Sequence, residues 1–331
     1  MRKNPKLLVI GSLVMDLITE TACFPAEGET VLGRRFRTAP GGKGANQAVG
    51  AAKLGADVTM FGCVGQDAYG EALLSSLQAA GVDTRHIGRS DAHSTAVGNI
   101  ILEEKTSGAA NRIIVVPGAN HALCPEDLVV LRDEMKTYDM LLLQLEIPME
   151  VNIAAASMAR AAGLPVMLNP APAAPLPPEL LASVDYLSPN EHEAAALIGR
   201  PLPVDEAPGE ALYALKNMGV AHPLITMGAA GAALLTEQGP ACFPGVDYRP
   251  VCDPTAAGDS FISAFCVAAC LGLEPAECAD FANHAAAVTV SRPGAQPSLP
   301  SLSEVLDFMD RDDRETEAFL PLLPEKRSVR I

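Results

Sequence analysis

The chain of 331 residues contains no tryptophan, and aromatic residues make up only 4% of it. Little is left from which to build the stacking platforms that hold single-stranded nucleic acid. Cations are scarce too: 24 Lys and Arg stand against 40 Asp and Glu, a formal charge of −16. A surface of that sign does not neutralise phosphates along DNA or RNA, and anionic membranes repel it. Neither nucleic acid nor membrane is an expected partner. The longest nearly apolar stretch, Phe261 to Leu273, has 13 residues, short of the ~18–20 a membrane span needs. The N-terminus carries basic residues but only a five-residue apolar run; lacking a signal-peptide core, the chain is expected in the cytoplasm.

Metal and thiol signatures are also missing. The eight cysteines include no CxxC and no Cys/His cluster at zinc spacing, and they read as reduced packing residues. The six histidines form no HExxH, and His192, between Glu191 and Glu193, reads as a solvated helix residue.

What the chain does have is core material: 49% of its residues are hydrophobic. Apolar runs recur at Leu7–Ile10, Val58–Phe61, Met140–Leu143, Pro165–Leu168, Val184–Leu187 and Pro223–Thr226. Between them lie helical patterns, among them Ala45–Leu54, Asp67–Ala80 and Pro148–Ala162, each stopping at a glycine suited to a left-handed helix end. Strands that are apolar throughout are covered on both faces, which predicts a three-layer α/β/α fold around a mostly parallel sheet. Segments 12–38 and 92–116 break this rhythm with extended patterns and no helix, predicting a small antiparallel β-sheet that serves as a lid or pairs two subunits. Residues 1–309 are expected to form one α/β domain, with 310–331 an appended tail that docks weakly or frays.

Two small-residue loops run directly into helices. The first is Pro40-Gly41-Gly42-Lys43-Gly44-Ala45-Asn46-Gln47-Ala48, which is neither GxGxxG nor GxxxxGK[ST]. The second is Asp253-Pro254-Thr255-Ala256-Ala257-Gly258-Asp259-Ser260-Phe261. Each helix start presents unpaired N–H groups, and the N–H groups of Ala256, Ala257 and Gly258 form a candidate oxyanion or phosphate site with Asp259 beside it. A carboxylate there is ionised at neutral pH and can accept a proton from a hydroxyl; it can equally be a helix-dipole carboxylate.

Together the two loops resemble the paired signatures of the PfkB, or ribokinase-like, family of carbohydrate kinases. The resemblance extends to about residue 309 through GSLVMD near the start, LLLQLE at 141–146, LNPAPA at 168–173, SPNEHEA at 188–194, ITMGAAG at 225–231 and SRPGAQPS at 291–298. It implies that Asp259 is the base that deprotonates a sugar hydroxyl and that Ala256, Ala257 and Gly258 form the anion hole for the γ-phosphoryl of ATP. Asp16, Gly42, Lys43, Asn46 and Glu146 match sugar-pocket positions, and Asn190 and Glu193 match the pair that places phosphate and Mg²⁺. Thr226, Gly228, Gly231 and Asn283 match the adenine nucleotide site. Asp253, Thr255, Thr289, Arg292, Gly294 and Ser298 fall where an activating K⁺ binds, partly through main-chain carbonyls. The resemblance also implies a homodimer formed through the lid.

The expected reaction is transfer of the γ-phosphoryl of ATP to a sugar hydroxyl, with ribose to ribose 5-phosphate the leading expectation. One departure bears on the acceptor: Val14 stands where the pattern GS-x-N-x-D has Asn, and it cannot make a side-chain hydrogen bond. A related pentose, a ketohexose or a nucleoside remains open as acceptor, as in a fructokinase-like or nucleoside kinase, and so does a non-catalytic sugar-binding regulator. With a net −16, attraction for the anionic nucleotide has to be local, from Lys43, from bound cations, and from the helix starts at Ala45 and Ala256.

Overall fold

The computed structural model describes residues 4–105, 108–199 and 208–323. Strand β1 (Lys6–Ile10) shows why the fold is layered: Leu7 and Val9 belong to one core cluster, Leu8 and Ile10 to another, and all four are fully buried. A strand apolar on both faces has to be covered on both, and β1 lies in the interior of a nine-stranded sheet, third from one edge.

To one side of β1 lie β4 (Asp57–Gly65) and β5 (Asp83–Ser90); to the other lie β8 (Met140–Gln144), β9 (Val166–Asn169), β10 (Tyr186–Leu187) and β11 (His222–Thr226), all in parallel register. An antiparallel hairpin, β12 (Ala232–Thr236) and β13 (Gly239–Phe243), completes the β11 edge. One helical layer holds α1 (Lys43–Lys53), α2 (Ala68–Ala79), α7 (Ala257–Cys270), α8 (Pro275–Val290) and α9 (Leu302–Arg311), packed through residues such as Val49, Leu77, Phe261, Phe281 and Val305. The other holds α3 (Met149–Ala162), α4 (Pro178–Leu181), α5 (Glu191–Ile198) and α6 (Pro208–Asn217), packed through Val151, Leu180, Ala194 and Leu212. Gly55, Gly81 and Gly163 do follow their helices with φ of 94°, 86° and 72°.

The two irregular segments form a separate four-stranded sheet from β2 (Val14–Thr21), β3 (Gly33–Gly41), β6 (Ala96–Lys105) and β7 (Gly108–Val116). Its two antiparallel pairs, β2/β3 and β6/β7, are joined by a parallel register between β2 and β6. Three strands lie outside the expected runs, although β12, AALLT, is itself apolar. Strand β5, with the polar sequence DTRHIGRS, lies at the sheet edge, and the hairpin β12/β13 closes at Gly239 with φ 112°.

Of the two outcomes expected for the C-terminal segment, docking or fraying, its described part shows docking. Its described part, to residue 323, buries Phe319 and Leu322 in the main core, with Phe319 stacked on Phe281 at 4.1 Å. Apolar anchors in FLPLL hold it, against the charge that suggested fraying. The cysteines also divide: Cys23, Cys242 and Cys252 are exposed rather than packed.

Candidate active site

In an open parallel sheet, ligand crevices form at the carboxyl ends of the strands where the order reverses, here between β1 and β8. Gly11 and Ser12 follow β1, Glu146 follows β8, Asn169 ends β9, Ser188 and Asn190 follow β10, and Thr226 ends β11. The starts of α1 and α7 arrive at the same end. A cleft of about 210 Å³ there is lined by Lys43, Asn190, Glu193, Thr226, the Ala256–Gly258 loop and Asp259. A larger cleft of about 560 Å³, beside α8 and the C-terminal segment, contains none of the expected site residues.

Asp259, in the first turn of α7, is buried, and both its oxygens are held: Asn46 Nδ2 donates to Oδ2 at 2.9 Å and Gln47 Nε2 to Oδ1 at 3.0 Å. Burial raises its pKa above the usual carboxylate value; the Lys43 ammonium and the two amide donors oppose that shift. Lys43 itself would lose its proton more readily on burial, but Asp259, Glu146 and Glu193 outweigh this and raise its pKa. One ammonium thus serves three carboxylates.

Ahead of Asp259, Ala256 caps α7 at φ 62°, a left-handed conformation that a non-glycine residue adopts under strain. Gly258 faces open space: a Cβ built on it meets no atom within 4 Å. Of the three anion-hole candidates, Ala257 donates its N–H to the Pro254 carbonyl at 3.2 Å. Proline at 254 therefore supplies a turn acceptor as well as lacking an N–H.

The start of α1 behaves differently, and the expectation that it attracts the nucleotide does not hold. The Lys43 N–H donates to Glu146 Oε2 at 2.9 Å, the Gly44 N–H to Ser12 Oγ at 3.3 Å, the Ala45 N–H to the Ser12 carbonyl at 2.9 Å and the Asn46 N–H to the Gly42 carbonyl at 2.8 Å. Gly42, at φ 91°, would place a Cβ 2.8 Å from the Val14 nitrogen. These groups are consumed in docking α1 onto the β1 turn.

Glu146 also accepts from Ser12 Oγ at 2.5 Å, so it braces α1 as well as facing Lys43. Asp16, on β2, is pushed up to about 6 by burial and then by Glu146, against Arg37. It sits over Gly41 and Gly98: a Cβ on either would lie 2.6 or 2.7 Å from its carboxylate. Val14, two residues earlier on the same strand face, is buried and also borders Gly98.

Asn190 and Glu193 form a reciprocal capping box on α5, each side chain bonded to the other's N–H at 2.8 Å. The N-x-x-E spacing carries that signal in the sequence itself. Both still line the cleft, and burial raises the pKa of Glu193 despite its Asn190 hydrogen bond and Lys43.

The remaining expected residues lie outside that cleft. Asn283 Nδ2 bridges the Phe243 and Pro244 carbonyls at 3.1 and 3.0 Å. Gly228 and Gly231 take φ of 52° and 91° in the turn between β11 and β12. Asp253 gathers the Thr255 and Gly294 N–H groups, each at 2.9 Å, and these bonds hold its pKa low although burial opposes them. Thr289 Oγ1 bonds Ser260 and the Ala285 carbonyl, Ser298 Oγ bonds the Ala295 carbonyl, and Arg292 pairs with Glu304 at 2.6 Å. Among the described residues no group of three or more His, Cys, Asp or Glu is arranged to hold a metal ion. Sequence reasoning missed Ser12, Gln47, Gln144, Asn169 and Ser188, all buried and polar at strand or helix ends.

Residues 4–302 match the model of the pfkB family carbohydrate kinases. The chain belongs to that family. It is 40% identical over 303 residues to the ribokinase of Bacillus subtilis, covering 92% of this chain and 99% of that one. It is 32% identical over 308 residues to the deoxyribokinase of Salmonella typhi, covering 93% and 99%. The structure of Arabidopsis thaliana ribokinase complexed with ribose and ATP superposes with a TM-score of 0.87 at 34% identity, covering 93% and 99% of the two chains. A pfkB-family carbohydrate kinase is a phosphotransferase acting on a sugar hydroxyl, and the fold is that of the ribokinases. Among the described residues no helix is long and apolar enough to cross a membrane.

Proposed function

We propose that the cleft transfers the γ-phosphoryl of ATP to ribose, giving ribose 5-phosphate. The observation that carries this reading is Asp259: a buried carboxylate with a raised pKa, gripped on both oxygens, one residue beyond an open helix start in the same cleft. A base of this kind takes the proton from the attacking hydroxyl as the oxygen bonds to the γ-phosphorus and the bond from that phosphorus to the leaving ADP oxygen breaks. The open N–H groups at Ala256 and Gly258, with the positive end of α7, stabilise charge on the phosphoryl oxygens. The Ala257 N–H is taken by the Pro254 carbonyl and holds the turn ahead of them.

Asp16, Gly42, Lys43, Asn46 and Glu146 are the sugar-binding set. Asn46 Oδ1 is buried without a partner and so has acceptor capacity for a hydroxyl. Thr226 and the glycine turn at Gly228 and Gly231 receive the nucleotide, with Asn283 shaping the Phe243–Pro244 edge. For Mg²⁺ the residues fit: carboxylates served by a single Lys43 leave negative charge uncompensated, and Glu193 with Asn190 offers hard oxygen donors at the cleft. The ion would neutralise phosphate charge when bound. For K⁺, Asp253 and neighbouring main-chain carbonyls supply an all-oxygen set, while Thr289, Arg292 and Ser298 act by shaping that loop.

A second reading, 2-deoxyribose as acceptor, is favoured by Val14, an apolar side chain sharing a strand face with Asp16. The relevant experiment is ADP release with ribose, 2-deoxyribose, fructose and adenosine, in potassium and in sodium buffer with magnesium. Ribose should give the highest kcat/KM, with stimulation by potassium; a preference for 2-deoxyribose would install the second reading, and no turnover with any acceptor would reject both.

Residues 1–309 then act as one catalytic unit with the 310–331 segment appended. Pairing of two copies through the small sheet is supported by its exposed Phe36, Ile113, Ile114 and Val115. Free cysteines suit the reducing cytoplasm.

A further inference from the structure

We propose that Gln47, held in turn by Gln144, is the positioning residue that fixes the carboxylate of Asp259 for proton abstraction. The inference rests on Asp259 being the base.

Gln47 is fully buried, and its amide has one workable orientation. Asp259 Oδ1 can only accept, so the group 3.0 Å from it is the Gln47 NH₂. The same NH₂ reaches Asn169 Oδ1 at 3.3 Å, and Asn169 is itself oriented by donating Nδ2 to the Ser188 carbonyl at 3.0 Å. Gln47 Oε1 then faces away and accepts from Gln144 Nε2 at 2.7 Å. Rotating the Gln47 amide by half a turn would set its oxygen against the carboxylate and its NH₂ against that of Gln144, losing both bonds. Ser263 Oγ adds a main-chain lock, sharing its single proton between the carbonyls of Gln47 at 2.9 Å and Asp259 at 2.7 Å.

Gln144 has a feature that stability alone does not explain. Its Oε1 is buried and has no partner, lodged in the space that Gly11 leaves by lacking a side chain. Methionine would fill nearly the same volume and remove the orphaned Gln144 oxygen, but it would leave the buried Gln47 Oε1 unpaired in its place. The residue is retained for its NH₂, whose single partner is Gln47. A polar chain therefore runs from β8 through α1 to α7 and ends on the base.

The test compares Gln144→Met, Gln47→Leu, their combination and Asp259→Asn, by melting temperature, kcat and both KM values. Gln144→Met exchanges one orphaned buried oxygen for another, so the melting temperature should change little while kcat falls about 3–10-fold, because the Gln47 amide is freed to rotate. Gln47→Leu should lower kcat about 10–100-fold with both KM values nearly unchanged, as expected for a displaced reacting group. The combination should be no slower than Gln47→Leu alone, since Gln144 acts only through Gln47. Gln144→Met that melts lower with kcat unchanged would show a purely structural role and overturn the proposal, as would additive losses in the combination. If Asp259→Asn keeps its kcat, the base assignment itself fails; if it is inactive while Gln47→Leu and Gln144→Met are fully active, only the positioning role fails. Should Gln47→Leu not fold, Gln144→Met decides alone.

Discussion

Helices α1 and α7 begin at the same end of the sheet, after Gly42 at φ 91° and Ala256 at φ 62°, and neither has a side-chain cap. As sequences they are equivalent: small residues, a tight turn, a helix dipole with its positive end forward. In the folded chain the first four N–H groups of α1 from Lys43 onward are spent on Glu146, Ser12 and Gly42, whereas Gly258 in the first turn of α7 opens onto the cleft. A helix N-terminus is an anion site only where other protein groups have not already taken its donors. What separates the two is the β1 turn, which packs against one and not the other.

The comparison can be broken most sharply at Asp259. Asp259→Asn keeps the shape and both amide neighbours but removes the proposed proton acceptor, and should cut kcat by ~10²–10⁴ while sugar binding, followed by calorimetry, persists. Equal kcat would leave α7 as no more than an open helix end.

Glycine-to-alanine exchanges at the two starts should separate stability from activity. At Gly44 the new Cβ would sit 2.6 Å from the Ser12 nitrogen, a main-chain clash, so Gly44→Ala should destabilise folding by about 1–3 kcal/mol. At Gly258 it meets nothing, so Gly258→Ala should leave the melting temperature intact yet slow turnover by ~10–10²-fold by crowding the transferring group. Matching effects in the two variants would erase the distinction drawn here.

The smallest effect concerns Asp16. Its pKa, pushed up to about 6, means that lowering pH through that value neutralises the carboxylate proposed to receive sugar hydroxyls. The KM for sugar should rise several-fold between pH 7 and 5, and Asp16→Asn should abolish that dependence. Because the folded value is raised for an acid, ionisation opposes folding: this group's contribution to stability declines as pH climbs from about 4 to 6. A flat KM over this range would remove Asp16 from the sugar pocket.

Much of the layered fold was legible because its cause is local. Leu7–Ile10 and Met140–Leu143 are apolar at every position, which only two-sided burial satisfies, and glycines at 55, 81 and 163 end their helices where no side chain would be comfortable. Strand β5 escaped notice because an edge strand needs no apolar face, and the parallel β2–β6 register joins segments about 80 residues apart. In the site, Asp259 and its loop stood out by composition. The partners of Asp259 did not: Gln47 lies within the first motif and Gln144 within LLLQLE, and nothing in either motif says that they touch.

The sequence alone sufficed for the α/β layering, the helix ends and the family, and it singled out Asp259 as a candidate, because periodicity, turn chemistry and an ordered set of motifs are properties of neighbours along the chain. Folding settled which helix start is open, that Asn190 and Glu193 cap α5 while facing the cleft, and that Asp259 is gripped through Gln47 from β8. Those outcomes depend on which hydrogen-bond donors are already taken by distant segments, and that accounting exists only once the segments have met.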